Sequence, residues 1–326
     1  MSLERNNTDV VVDDSHRPVT VTTGLVALIL AVIVATTVVG NALVIVAIIT
    51  ERSLQRVQYY LILSLAVADE LVGTVVSPLA FHYDLTNRWT LGLLMCDFWI
   101  FFDVLCCSAS ILNLVVIALD RYWSVSDVAY VQRRNRSRIL AMIALVWLTA
   151  LLISIPPVFG WKDSRFADRV LHQHVCLISQ DLTYQIFSTV AAFYGPLFLL
   201  MLLYWRIYVT IFLKTSTEIR QKSSPKREAR AARTLAVVTG TFVLCWLPFF
   251  VLALYRPIAC PSSDHSISPC SISPLLESVF LWLGYVNSAL NPIIYTVFSP
   301  DFAKAFKRIL SKLFFIRNFM PNPRRN

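Results

Sequence analysis

Seven mostly apolar runs, each long enough to cross a bilayer as a helix, constrain this chain more than any other feature: 24–50, 57–81, 93–126, 139–159, 183–213, 235–255 and 273–298. A hydrocarbon core of about 30 Å takes roughly 20 helical residues and only about ten in a barrel strand, so runs of this length predict helices. With 56% hydrophobic and 15% charged residues over 326 positions, too little polar surface remains for an ordinary soluble domain. The expected fold is an all-α membrane protein with a polar N-terminal segment over 1–23, a seven-transmembrane helix bundle over 24–298 and a tail over 299–326. The tail reads as a short amphipathic helix. Phe302, Phe306, Ile309, Leu310 and Leu313 fall opposite Lys304, Lys307, Arg308 and Lys312, a pattern suited to an anionic lipid surface.

The net charge of +9 raises the question of a nucleic-acid partner, and the placement of charge answers it. Lys and Arg concentrate in the connections after the first, third and fifth runs and in the tail, so they report topology and no nucleic acid is implied. By this bias the N-terminus is expected outside and the C-terminus inside. The first 23 residues lack the apolar core of a signal peptide, and the first run is expected to act as the insertion signal. Asn6 then stands in an outside glycosylation sequon, whereas the match at Asn135 is cytoplasmic and unmodified.

Charge inside an apolar run needs a reason. The third run carries Asp103 and, seventeen residues on, Asp120 beside Arg121, a separation of roughly 25 Å along a helix. One acid therefore lies near one membrane face and the charged pair near the other, so a single helix can join an outer binding site to an inner switch. In the second run Asp69 and Glu70 are adjacent. Successive helix positions differ by about 100°, so both cannot face one partner, and compact neighbours favour Asp69 for the interior. Runs five, six and seven each contain a proline, Pro196, Pro248 and Pro292, which frees a carbonyl and bends the helix.

Of the seven cysteines, Cys96 and Cys176 both fall on the oxidising side, where a bridge between them can form. Cys260 and Cys270 are either a second bridge or two free thiols. Cys106, Cys107 and Cys245 lie inside runs and read as packed thiols. His172 and His174 lack further ligands for a metal, and the tail offers no cysteine for palmitoylation.

In order along the chain stand Gly40 and Asn41, Asp69, Cys96, Asp103, Asp120 with Arg121 and Tyr122, Trp147, Cys176, Pro196, the run Cys245 to Phe250, Trp282 with Tyr285, and Asn291 to Tyr295. This set resembles the rhodopsin-like (class A) G-protein-coupled receptors and, within them, the biogenic-amine receptors. The resemblance implies that Asp103 binds a protonated amine with Tyr285 steadying its carboxylate. Cys107, Trp246, Phe249 and Phe250 would shape the pocket, and Ser188, Thr189 and Ala192 would meet the ligand ring. Similar catecholamine receptors carry a serine at the position of Ala192, so the pattern is most similar to type 1 serotonin receptors. Tyramine, octopamine or dopamine is the alternative ligand, and an amine transporter a remote one. By the same resemblance Asp120, Arg121, Tyr204, Glu228, Asn291, Pro292 and Tyr295 form the switch that opens to a heterotrimeric G protein, of the Gi/o class. Cys96 and Cys176 are its disulfide, and Asp69, Ser110, Asn287 and Asn291 resemble a sodium pocket. No other cofactor is implied.

The chain departs from that pattern in places. Tyr59 stands where Asn is usual, Glu70 replaces an aliphatic residue, and the connection after Arg121 lacks a proline near Val128. These departures bear on packing at the second helix and on the surface that meets the G protein. A retinal photoreceptor is excluded because the seventh run has no lysine for a Schiff base. An enzyme is not expected, since no catalytic set of acids or histidines shares one level of the bundle, and a transporter would need the internal repeat this chain lacks.

Overall fold

The computed structural model describes residues 21–217, 225–259 and 273–319. Asn6, Cys260 and Cys270 lie outside the described residues, and so does the side chain of Glu228. The spans are Val21–Thr50, Tyr59–Thr86, Gly92–Ser126, Arg136–Ser154, Leu182–Leu213, Pro225–Ala259 and Pro274–Phe298. Among the described residues there are no strands. Six spans contain a strongly apolar stretch long enough to cross a membrane, which in the sixth is Ala236–Arg256. The seventh is less apolar because it carries Asn287, Ser288 and Asn291, and all three are buried.

The third span is the centre of the bundle, packed against the second, fourth, fifth and sixth, while the seventh closes the ring between the first and the sixth. Burial follows this placement: 67% of the apolar window of the third span is inside the protein, against 28% for the first and fourth. Lipid tails are as apolar as leucine, so close packing and polar bridges hold such helices together. Asn41 of the first span donates to the Ser288 carbonyl of the seventh at 3.0 Å, and Trp147 of the fourth to Ser64 of the second at 3.0 Å.

Two spans change pitch just before a proline. Val72–Val76 and Val190–Tyr194 are π-helical turns, followed by Pro78 and Pro196. Proline has no N–H for the carbonyl four residues earlier and its ring crowds that carbonyl, so a wider turn relieves both defects. A side chain at Gly195 would place its Cβ 2.9 Å from the Val190 carbonyl oxygen, which restricts this position to glycine.

At one end the Cys96–Cys176 disulfide ties the long loop after the fourth span to the third. The loop contains the helix Phe166–Leu171, and its His174 carbonyl accepts from the Trp89 N–H at 2.7 Å. Asp163 organises the rest. Burial raises its pKa, but hydrogen bonds from Arg169 and the Gln180 N–H prevail and hold it below the usual carboxylate range.

At the opposite end the connection that lacks its expected proline forms the helix Val128–Arg133, capped by Asp127, which accepts from the Ala129 N–H at 2.8 Å. The departure at Tyr59 has a counterpart: its hydroxyl donates to Asp301 at 3.0 Å and its ring packs edge-on against Phe302. Both residues begin the terminal helix Pro300–Phe319. That helix buries Phe302, Ala305, Phe306 and Ile309, while Leu310, expected on the same side, is 41% exposed. The side chain of Leu313 lies outside the described residues.

Candidate functional site

Toward the disulfide end, Asp103 is half-buried in the third span, and its Oδ1 accepts from the Tyr285 hydroxyl at 3.1 Å. An ionised carboxylate accepts at about four lone-pair directions, so one donor leaves most of its capacity unused. Cys107, one turn further along, is buried. Aromatic rings stand around this level. Trp246 meets Tyr285, Phe249 and Phe250 at centroid distances of 6.3, 5.8 and 5.9 Å, the first two edge-on. Trp246 sits flush on Gly284 of the seventh span, where an added Cβ would come 2.7 Å from the indole. Phe250 stacks on Phe193 of the fifth span at 4.3 Å, which ties the aromatic group to the π turn that holds buried Ala192. Ser188 and Thr189 are buried one turn earlier, and both hydroxyls donate to the Gln185 carbonyl, at 3.3 and 2.6 Å. Their oxygen lone pairs remain able to accept.

The second acid is deeper and differently served. Asp69 is fully buried, and it accepts from Ser110 at 3.2 Å, Ser288 at 2.9 Å and Asn291 at 2.7 Å. The Oδ1 atom of Asn291, which donates to Asp69 through its Nδ2, and that of Asn287 one turn earlier are buried without a hydrogen-bond partner among the described residues. Glu70, next in sequence, is only half-buried, as the 100° offset between neighbours requires.

At the far end of the third span Asp120 is buried. Its carboxylate accepts from the Tyr130 hydroxyl at 3.0 Å and from Arg134 at 3.0 Å. Arg134 also bonds Ser124 and, at 2.9 Å, Gln58. The helix Val128–Arg133 is thereby clamped to the third span. Tyr204 of the fifth span shares a hydrogen bond with Thr239 of the sixth at 2.6 Å, and the buried Tyr295 hydroxyl has no hydrogen-bond partner among the described residues. Ile111, Pro196 and Phe242 are buried between this end and the aromatic group.

Comparison with known proteins decides the family. The pattern described as 7 transmembrane receptor (rhodopsin family) matches residues 40–295. The chain belongs to that family. The receptor is 38% identical to a protein named 5-hydroxytryptamine receptor from Heliothis virescens, over 83% of this chain and 81% of the relative. It is 35% identical to one of the same name from Lymnaea stagnalis, over 88% of this chain and 79% of the relative. The human protein named 5-hydroxytryptamine receptor 1D is 37% identical, over 87% of this chain and 88% of the relative. These are receptors and not enzymes, and this receptor is accordingly a multi-pass protein of the plasma membrane.

In the receptor Asp103 and Tyr285 meet, the aromatic residues gather beside them, and Asp69, Ser110 and Asn291 form one cluster. Asn287, one turn before Asn291 on the seventh span, is buried, and its oxygen is unbonded among the described residues. Sequence reasoning missed Ser288, although its neighbours Asn287 and Asn291 already marked a polar face of the seventh span. It also missed Tyr130 and Arg134, the partners of Asp120, because the connection that carries them was marked only by its basic charge and its missing proline. Gly284 gave no signal at all.

Proposed function

We propose that this receptor is activated by a protonated amine, serotonin, and that it promotes nucleotide exchange on a heterotrimeric G protein of the Gi/o class. The observation that carries the reading is Asp103, a carboxylate set among aromatic rings with a single donor, Tyr285. An ammonium ion supplies the missing donors and the balancing charge where water is scarce, and aromatic faces favour the same cation. The relatives named 5-hydroxytryptamine receptors support an indole amine. So does Ala192, which leaves room where a serine would contact a catechol.

In this reading the disulfide end faces outside and the basic connections face the cytoplasm. Binding at Asp103 draws on Trp246 and Phe250, and the sixth span, which carries Pro248, swings outward. Arg121, Tyr204 and Tyr295 then line the opened cavity, with Glu228 at its rim. An agonist moves this equilibrium only by its differential affinity for the open state.

The residues around Asp69 fit a sodium ion. One carboxylate lies beside Asn291 and the Ser110 hydroxyl, and the buried oxygens of Asn291 and of Asn287 one turn earlier are partnerless among the described residues, a hard-oxygen set suited to a small cation. The test of the reading is competition binding of serotonin, tyramine, octopamine and dopamine to membranes that carry the full chain. Serotonin should rank first; another amine ranking first overturns the choice of ligand, and no binding overturns the amine reading itself.

A further inference from the structure

Asp84 closes the ligand end of the second span and has no part in the function proposed so far. Its carboxylate accepts a hydrogen bond from the indole N–H of Trp282, across to the seventh span. Trp282 is buried, and its indole nitrogen can only donate, so without Asp84 the ring would hold an unsatisfied donor away from water and would turn to find another. The orientation of that ring matters to its neighbour. Trp282 meets Tyr285 edge-on at 5.5 Å and 84°, and Tyr285 donates its hydroxyl to Asp103. On the other side Tyr285 meets Trp246 at 6.3 Å and 80°. Tyr285 is thus held between two indoles. Gly284 sets the lower one by close packing, and a carboxylate sets the upper one.

We propose that Asp84 is a positioning residue for amine recognition. Held by Asp84, Trp282 keeps the Tyr285 hydroxyl on one oxygen of Asp103, and the rest of that carboxylate stays turned toward the ligand ammonium. Arg256, the cation nearest this level on the sixth span, pairs with Glu277 at 3.0 Å, and the partner the structure gives Asp84 is the indole. The inference rests on the amine-receptor reading, and it differs from a second cation subsite, in which Asp84 would touch the ligand itself.

A double-mutant cycle separates these possibilities. Serotonin affinity is measured on membranes bearing the full chain, Asp84→Ala, Asp84→Asn, Tyr285→Phe and the double variant Asp84→Ala with Tyr285→Phe. Asp84→Ala should weaken binding by about fivefold to tenfold, in the range of a lost hydrogen bond to a charged group. Asp84→Asn should stay within about twofold, because the amide oxygen still accepts from Trp282. In the Tyr285→Phe background Asp84→Ala should have almost no further effect. Equal effects of Asp84→Ala in both backgrounds, or equal losses in Asp84→Ala and Asp84→Asn, would overturn the proposal in favour of direct contact with the ligand. Trp282→Phe, which keeps a six-membered aromatic ring at this position and drops the indole N–H, is the second route should Asp84→Ala not reach the membrane: it should reproduce the loss, and unchanged affinity would overturn the proposal. A parent chain that binds no amine overturns the amine reading and this inference together, whereas amine binding with an additive cycle overturns the inference alone.

Discussion

Asp69 and Asp103 are the same side chain in the same bundle, and their surroundings differ in kind. Asp69 is fully buried and accepts from three side-chain donors on two spans, so the protein itself satisfies it. Asp103 is half-buried and accepts from one hydroxyl. Leaving a carboxylate short of donors in an apolar site is unfavourable unless something else completes it. The contrast teaches how a bundle uses acids: one that neighbouring helices already hydrogen-bond ties those helices together, and one with a single donor keeps most of its lone pairs for a ligand ammonium in the proposed function. Asp120 extends the comparison, since Tyr130 on the neighbouring short helix and Arg134 just past its end complete it.

The contrast breaks first at Asp103. Asp103→Asn keeps the shape and removes the charge, and serotonin affinity should fall by at least about a hundredfold, the scale of losing one partner of a buried charge pair. A loss under about threefold in equilibrium binding would mean that the acid is not the anchor. Asp69→Asn should behave differently. Agonist binding is retained, while the effect of sodium on agonist affinity, expected at about tenfold, disappears; a sodium effect that persists in titrations on the variant would remove the ion from the Asp69 cluster. Tyr285→Phe takes away the single donor of Asp103 and should weaken serotonin by about fivefold, in line with one hydrogen bond to a charged group. The smallest effect belongs to Ser288→Ala. Asp69 keeps Ser110 and Asn291, so affinity should hold and the melting temperature in detergent should drop by a few degrees, for roughly 1 kcal/mol. A large affinity loss there would show that the two acids are not separate sites.

Much of this arrangement was legible before any coordinates. Apolar length announced the spans, and acids inside apolar runs announced Asp69, Asp103 and Asp120, because charge in lipid always needs a partner. The partners themselves were harder to read. Ser288 is an ordinary residue whose role depends on its rotation about the seventh span, and only the angular position relative to Asn291 singles it out. Arg134 and Tyr130 reach Asp120 through a six-residue helix that Asp127 nucleates, a local event invisible to hydropathy. The prolines were expected to bend the fifth span, and the structure answers with a π turn, because widening the helix satisfies the freed carbonyl with less displacement. Gly284 looked like any glycine in a span; its meaning lies in the indole packed against it.

The most direct test of the incomplete carboxylate compares two ligands of one shape. Affinities for serotonin and for the analogue with a hydroxyl in place of its ammonium are measured on the parent chain and on Asp103→Asn. The parent should prefer the amine by at least about a hundredfold, and the preference should collapse toward unity in the variant. A preference that survives the loss of the Asp103 charge would contradict the account, since the amine would then be read by some other group.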